Sequence, residues 1–238
     1  MGEIPDTLET KLKSRDFKER VTAYKELAKW EDQDLTPENF FKTLHLTIKE
    51  KHAKVIPVML KAISTALEDP AKKEEALNAL NLPKFINTFC EHTINNAKKP
   101  SSKKAVNEFI GKFYDAVEDK SAIIEEIKNS GKSFSPKVQE PVLFFLEQLL
   151  KQDKIKEMDV IMSLNELVGK LAGSRSKKIV TNAMSVIKEM ALYFGEGIKD
   201  FFKELKKEQQ KELSDYIKDL DPKMMKALGG GDDDGQDL

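Results

Sequence analysis

The stretch "SFSPKVQEPVLFFLEQLL", Ser133 to Leu150, decides the fold. Ser135 followed by Pro136 places a capping hydroxyl before a proline, an arrangement that opens a helix. The proline's missing N–H has no partner to lose at the first helical position. Behind it Val138, Val142, Phe145 and Leu149 recur at the spacing of one helical face. Pro141 lies deep in this helix, and a kink is expected there because its ring removes a hydrogen bond.

The same pattern repeats on both sides. Val55, Met59, Ile63 and Leu67 form one stripe, widened by Ile56 and Leu60. Val106, Phe109, Phe113 and Val117 form another, and Ile179, Ala183, Val186, Met190 and Phe194 a further one. Thr36-Pro37 is a second cap-and-proline start, Ser101 and Ser102 can cap the helix carrying Val106, and Pro57 sits near a helix start. No run of strict alternation points to a strand.

Short polar turns precede these helices near Asp16, His52, Pro100, Phe134 and Arg175, at intervals of about 36, 48, 34 and 41 residues. Units of roughly 40–47 residues are those of HEAT or armadillo repeats, with room for two helices each. A last pair, Ile198–Lys206 and Glu208–Leu220, closes the stack. The expectation is an all-α solenoid of about six HEAT-type helical hairpins, a single domain over residues 1–228. The end of the chain, "GGGDDDGQDL", has almost nothing apolar to bury. Residues 229–238 are therefore expected to be a disordered tail or the start of a linker.

Composition agrees. Charged residues make up 34% of the 238, above the globular average of roughly 25%, with few glycines and aromatics. Cys90 is the only cysteine, which excludes a disulfide framework and suits a reducing, cytoplasmic setting. No apolar run approaches the roughly 18 residues a membrane span needs. Glu3 and Asp6 argue against a signal peptide, and Asp6 against a myristoylation signal.

Catalytic and cofactor motifs are missing, so neither an enzyme nor a cofactor is expected. His45, His52 and His92 are scattered. Cys90, Glu91 and His92 are consecutive and point apart on a helix, and Cys90 is read as packing. Gly229–Gly231 are not in a strand-to-helix turn, so they are no phosphate loop. Trp30 is read as a core residue.

Charge is more informative. Residues 15–20, 50–54, 98–104, 128–137 and 173–178 together carry +12, leaving −13 for the rest of a chain of net charge −1. In stacked hairpins such turns share one edge, which would make a basic ridge suited to an acidic partner. Nucleic acid is disfavoured by a pI near 6.4 and by the lack of an aromatic platform. A generic HEAT scaffold holding another acidic protein is the alternative.

The turns also resemble those of a known family. "IPDTLETKLKSRDFKERVTAYKEL" offers Phe17-Lys18-Glu19-Arg20 where TOG domains carry Trp-Lys-x-Arg. "KEKHAKVIP" matches in position, and "KKPSSKKAVNEFI" is similar to the family's Lys/Thr-rich turn. Pro136-Lys137-Val138 keep the family's Asn-Pro-Lys-Val turn, and "FFKELKKEQQKELSDYIKDL" is similar to its last hairpin. The chain thus resembles a TOG domain, the tubulin-binding HEAT array of the microtubule polymerase family and, more distantly, of the CLASP family. Phe17 replaces the Trp. In the fifth turn Ile179-Val180 precede Thr181-Asn182-Ala183 in place of Val-Arg and alanine, so charge must come from Arg175, Lys177 or Lys178.

The resemblance implies a flat paddle that binds one αβ-tubulin heterodimer along its turns, acting as a monomeric domain at microtubule plus ends. It implies a cytoplasmic, cytoskeletal location. Phe17 is then the aromatic anchor. Lys18, Arg20, Ser102, Lys103, Lys104 and Lys137 are its contact partners, with Lys51, Lys54 and Lys177 behind them.

Overall fold

The computed structural model describes residues 6–29, 49–68, 73, 77, 80–133 and 135–227. Thr36-Pro37, Trp30, His45, Phe134 and the tail 229–238 lie outside them. Among the described residues every regular element is helical and none is a strand. No helix there is long and apolar enough to cross a membrane. The chain gathers into two compact units, Met1–Glu126 and Ile127–Leu238.

The first unit contains α1 (Asp6–Leu12), α2 (Phe17–Leu27), α3 (Ile56–Glu68), α4 (Leu82–Thr88) and α5 (Pro100–Ala116). Asp16 starts α2: its backbone is extended and its carboxylate accepts the Lys18 N–H at 2.9 Å. Helix α3 buries Ile56, Met59, Leu60, Ile63 and Leu67, as its stripe predicts, and packs on α2 and α5. Pro57 is the second residue of α3, where it is harmless.

Phe85, Phe89, Phe109 and Phe113 form the aromatic heart of this unit. Their ring centroids lie 4.9 Å apart for Phe85–Phe113 and 5.2 Å for Phe89–Phe109. Each such ring contributes about 1.5–3 kcal/mol by burial. Helix α4 runs on into a π-helical turn, Phe89–Ile94, which the apolar spacing does not announce. Cys90 sits in that turn, fully buried, and burial pushes its thiol well above the ordinary range. It is a packing residue, unreactive as a thiolate.

Helix α6 (Lys120–Gly131) crosses the boundary in sequence. The second unit then holds α7 (Pro136–Lys151), α8 (Met158–Ser163), α9 (Asn165–Ala172), α10 (Lys177–Phe194), α11 (Ile198–Phe201) and α12 (Lys207–Lys218). Helices α7 and α10 pack side by side and carry its core. Val142, Phe145 and Leu149 are buried, whereas Val138 at the start of the stripe is half-buried. Helix α7 runs as one element through the buried Pro141. Pro141 has no N–H to offer the Lys137 carbonyl, which lies in the exposed first turn, where the missing helical bond costs least. The first helix of the last pair is shorter than expected: α11 ends at Phe201, where the sequence reading carries it to Lys206.

Gly195 ends α10 with a φ of 54°, a conformation side chains rarely adopt. After α12 the chain folds back across the ends of α7 and α10. The Lys226 N–H donates to the Leu192 carbonyl at 2.8 Å, and its ammonium donates to the Leu150 carbonyl at 2.6 Å. The same ammonium lies 3.0 Å from Asp153, 3.8 Å from Glu189 and 5.3 Å over the Tyr193 ring. A cation at two helix C-termini also opposes their dipoles.

The Asp153 carboxyl is desolvated by burial, which pushes it up, yet Lys226 and the Tyr193 hydroxyl together hold it below the usual range. Burial holds Glu189 above that range, Lys226 opposing it. Lys226→Met keeps the stem but removes the shortest hydrogen bond to the Leu150 carbonyl, which keeps the Asp153 N–H at 3.2 Å and the Tyr193 hydroxyl at 3.3 Å, and it takes the cation from Asp153 and Glu189. It is expected to cost about 2 kcal/mol, read as a lower urea midpoint with unchanged helicity.

Candidate functional site

Three of the turns share a local device. The Asp16 N–H donates to Ser14 Oγ at 3.0 Å, the Ser135 N–H to Ser133 Oγ at 3.2 Å, and the Ser176 N–H to Ser174 Oγ at 3.2 Å. In each case the third residue is the N-cap of the next helix. The pattern is Ser-x-Asp or Ser-x-Ser: a hydroxyl turn followed by a cap, which tightens the chain and, in the first and fifth turns, leaves the middle residue at the tip. That middle residue is Arg15 in the first turn and Arg175 in the fifth, and both are exposed. Arg15 is missing from the contacts expected from the sequence, although the Ser-x-Asp pattern marks it.

In the first unit, successive turns are tied together. The Arg20 guanidinium donates to Glu50 through Nε at 2.7 Å and Nη2 at 3.1 Å, and through Nη1 to the Ser14 and Arg15 carbonyls. Glu50 also accepts the N–H groups of Lys51 at 2.9 Å and His52 at 2.7 Å. The Glu50 side chain is 5% exposed and that of Arg20 17%. The hydrogen bond it donates to Glu50 raises Arg20 above arginine's ordinary pKa. Arg20, named from the sequence as a contact residue, joins the first two turns through these bonds.

Ser102 is likewise turned inward. It is fully buried and its hydroxyl donates to the Ala53 carbonyl at 2.6 Å, which ties the third turn to the second. Around these ties Lys18, Lys51, Lys54, Lys103 and Lys104 are exposed. Lys104 has only a loose, exposed pairing with Glu108 at 3.8 Å, which holds it weakly.

Phe17 is half-buried. Its ring stacks on His52, with centroids 4.3 Å apart and an interplanar angle of 16°, and the Lys54 ammonium lies 5.5 Å from the ring centre.

The second unit repeats the scheme. Lys178 pairs with Glu140 and so ties the fifth turn to the fourth. Gln209 donates to the Ala172 carbonyl at 2.9 Å and accepts the Lys206 N–H at 3.0 Å, bringing a sixth turn beside the fifth. Lys203, Lys206 and Lys207 are exposed on that sixth turn, which the charge count from sequence leaves out. Lys137 and Lys177 are exposed on the fourth and fifth turns.

Comparison with known proteins gives the fold its relatives. The family described as XMAP215/Dis1/CLASP, TOG domain, matches residues 6–217. Drosophila melanogaster Mini spindles TOG3 superposes with a TM-score of 0.63 at 14% identity, over 95% of this chain and 97% of that one. A chain from structures of tubulin recruitment and assembly by microtubule polymerases with TOG domain arrays gives 0.65 at 16% identity. That match covers 90% of this chain, which spans 46% of the larger one. Another, from structures on TOG–tubulin binding specificity in microtubule dynamics and spindle formation, gives 0.65 at 14% identity, over 89% of this chain and 80% of that one. No curated protein matches in sequence. At such identities the superpositions establish the fold, and the match over residues 6–217 establishes descent: the chain belongs to the XMAP215/Dis1/CLASP TOG domain family.

Proposed function

We propose that the chain is a non-catalytic module that binds the αβ-tubulin heterodimer through residues at its inter-helix turns, and so serves microtubule growth or dynamics in the cytoskeleton. The observation that carries this reading is the exposed cation on turn after turn of a TOG-family chain: Arg15, Lys18, Lys51, Lys54, Lys103 and Lys104 in the first unit, Lys137, Arg175 and Lys177 in the second. Two of the similar structures concern tubulin recruitment and TOG–tubulin binding.

An aromatic among cations is the make-up of a binding hot spot, and acidic partners are steered to such a surface. Arg20 and Ser102 are assigned to building the turns, the others to contact. Each unit carries such residues on its own turns, and one copy of the chain engages one heterodimer.

The test is gel filtration of the purified chain with unpolymerised tubulin at low and moderate salt. A co-eluting complex that weakens as salt rises is expected. Separate elution at both salt concentrations overturns the proposal.

A further inference from the structure

We propose that His52 is the positioning residue of the Phe17 anchor, so that a partner meets a stacked two-ring plate flanked by the Lys54 ammonium instead of a lone phenyl ring. This rests on the tubulin-binding reading and deepens it. Phe17 is the first residue of α2, between the exposed Asp16 and Lys18. An aromatic at such a place can visit several rotamers unless something walls it in. His52 supplies that wall, with ring centroids 4.3 Å apart and planes 16° from parallel.

The wall itself is held firmly. The His52 N–H donates to Glu50 at 2.7 Å, and its carbonyl accepts from Val55 at 2.8 Å and Ile56 at 3.1 Å. Glu50 also grips Arg20, one helical turn along α2 from Phe17. One carboxylate therefore fixes the backbone under the His52 ring and, through the Arg20 guanidinium, is linked to the Ser14 and Arg15 carbonyls just before Phe17. An anchor ordered before binding loses less conformational freedom when the partner arrives.

The imidazole is kept for its ring. His52 Nδ1 is buried and makes no hydrogen bond among the described residues. A buried nitrogen without a partner stabilises nothing, so what the residue offers the anchor is its flat ring. A phenyl ring, flat and slightly larger but without that nitrogen, should serve the anchor equally well. With Lys54 at 5.5 Å, the surface that fits the plate is apolar at its centre and carboxylate-rich at its edge.

The test is tubulin affinity, by fluorescence anisotropy, for the wild-type chain, His52→Ala, His52→Asn, His52→Phe, Phe17→Ala and Phe17→Ala with His52→Ala. Loss of one aromatic stack should weaken binding about 5-fold in His52→Ala and His52→Asn. His52→Phe should bind within about 2-fold of wild type, at equal or higher melting temperature. In the Phe17→Ala background, removing His52 should cost clearly less than it does in the wild type, since the two rings act together.

Equal affinity for wild type and His52→Asn overturns the inference while leaving the tubulin reading intact. So does a His52→Phe as weak as His52→Ala, or full additivity of the two losses. A wild-type chain that binds no tubulin removes both together. Without tubulin, the His52 ring protons should move downfield in Phe17→Leu, and unmoved resonances also count against the stack.

Discussion

Phe17→Glu combined with Lys103→Glu abolishes co-elution with tubulin and leaves the far-ultraviolet circular dichroism unchanged. The two residues lie on the first and third turns of one unit. Lys103 is exposed and Phe17 half-buried, so neither supports the core. Losing the aromatic anchor costs about 2 kcal/mol or more. Two new carboxylates facing an acidic surface add like-charge repulsion. Together the expected loss exceeds roughly 100-fold in affinity, enough to dissolve a micromolar complex on a column. The fold should survive, since the stack on His52 is worth about 0.5–1.5 kcal/mol. Normal binding by the double variant would show that tubulin, if it is the partner, uses another face.

The largest stability effect is expected at Glu50. Its carboxylate takes two hydrogen bonds from Arg20 and one from each of two backbone N–H groups, almost fully out of water. Glu50→Ala leaves a largely buried guanidinium and two amides without their acceptor. Breaking such a pair from one side costs about 3–5 kcal/mol, far more than an exposed lysine pair could. The expected outcome is an early unfolding transition in urea for the first unit, with tubulin affinity falling as well. Glu50→Gln, which keeps the shape and part of the hydrogen bonding, should lose less on both counts. A Glu50→Ala chain as stable as wild type would show that the link between the first two turns is dispensable.

The fold was legible because helical periodicity and caps are local signals. Ile56 to Leu67, Val106 to Phe113 and Val142 to Leu149 announce their faces within a few turns, and Ser135-Pro136 marks its own helix start. The direction of a polar side chain is a different matter. Arg20 is steered inward by Glu50, thirty residues away in sequence, and Ser102 by a carbonyl at Ala53. Nothing adjacent to either residue reveals its partner, so both read as surface residues. The π-helical turn at Phe89–Ile94 escapes for another reason: a single extra residue in a helix shifts the phase of the stripe without erasing it. The sixth turn, with Lys203, Lys206 and Lys207, falls in the last helical pair expected from the sequence, but its place beside the fifth rests on the bond from Gln209 to the Ala172 carbonyl, which no local signal announces.

The ties at Ser102 and Gln209 end on main-chain carbonyls, of Ala53 and Ala172. Every amino acid supplies that acceptor, so the pitch from one turn to the next, within each unit, does not depend on which side chain occupies residue 53 or 172. The spacing works as a ruler, and the outward letters are free to be rewritten on it. Such a scaffold can drift to 14% identity with Mini spindles TOG3 and still superpose on it. It also suggests a route to altered specificity: residues at the turn tips such as Arg15, Lys51 and Arg175 can be exchanged while the ruler beneath them is left alone.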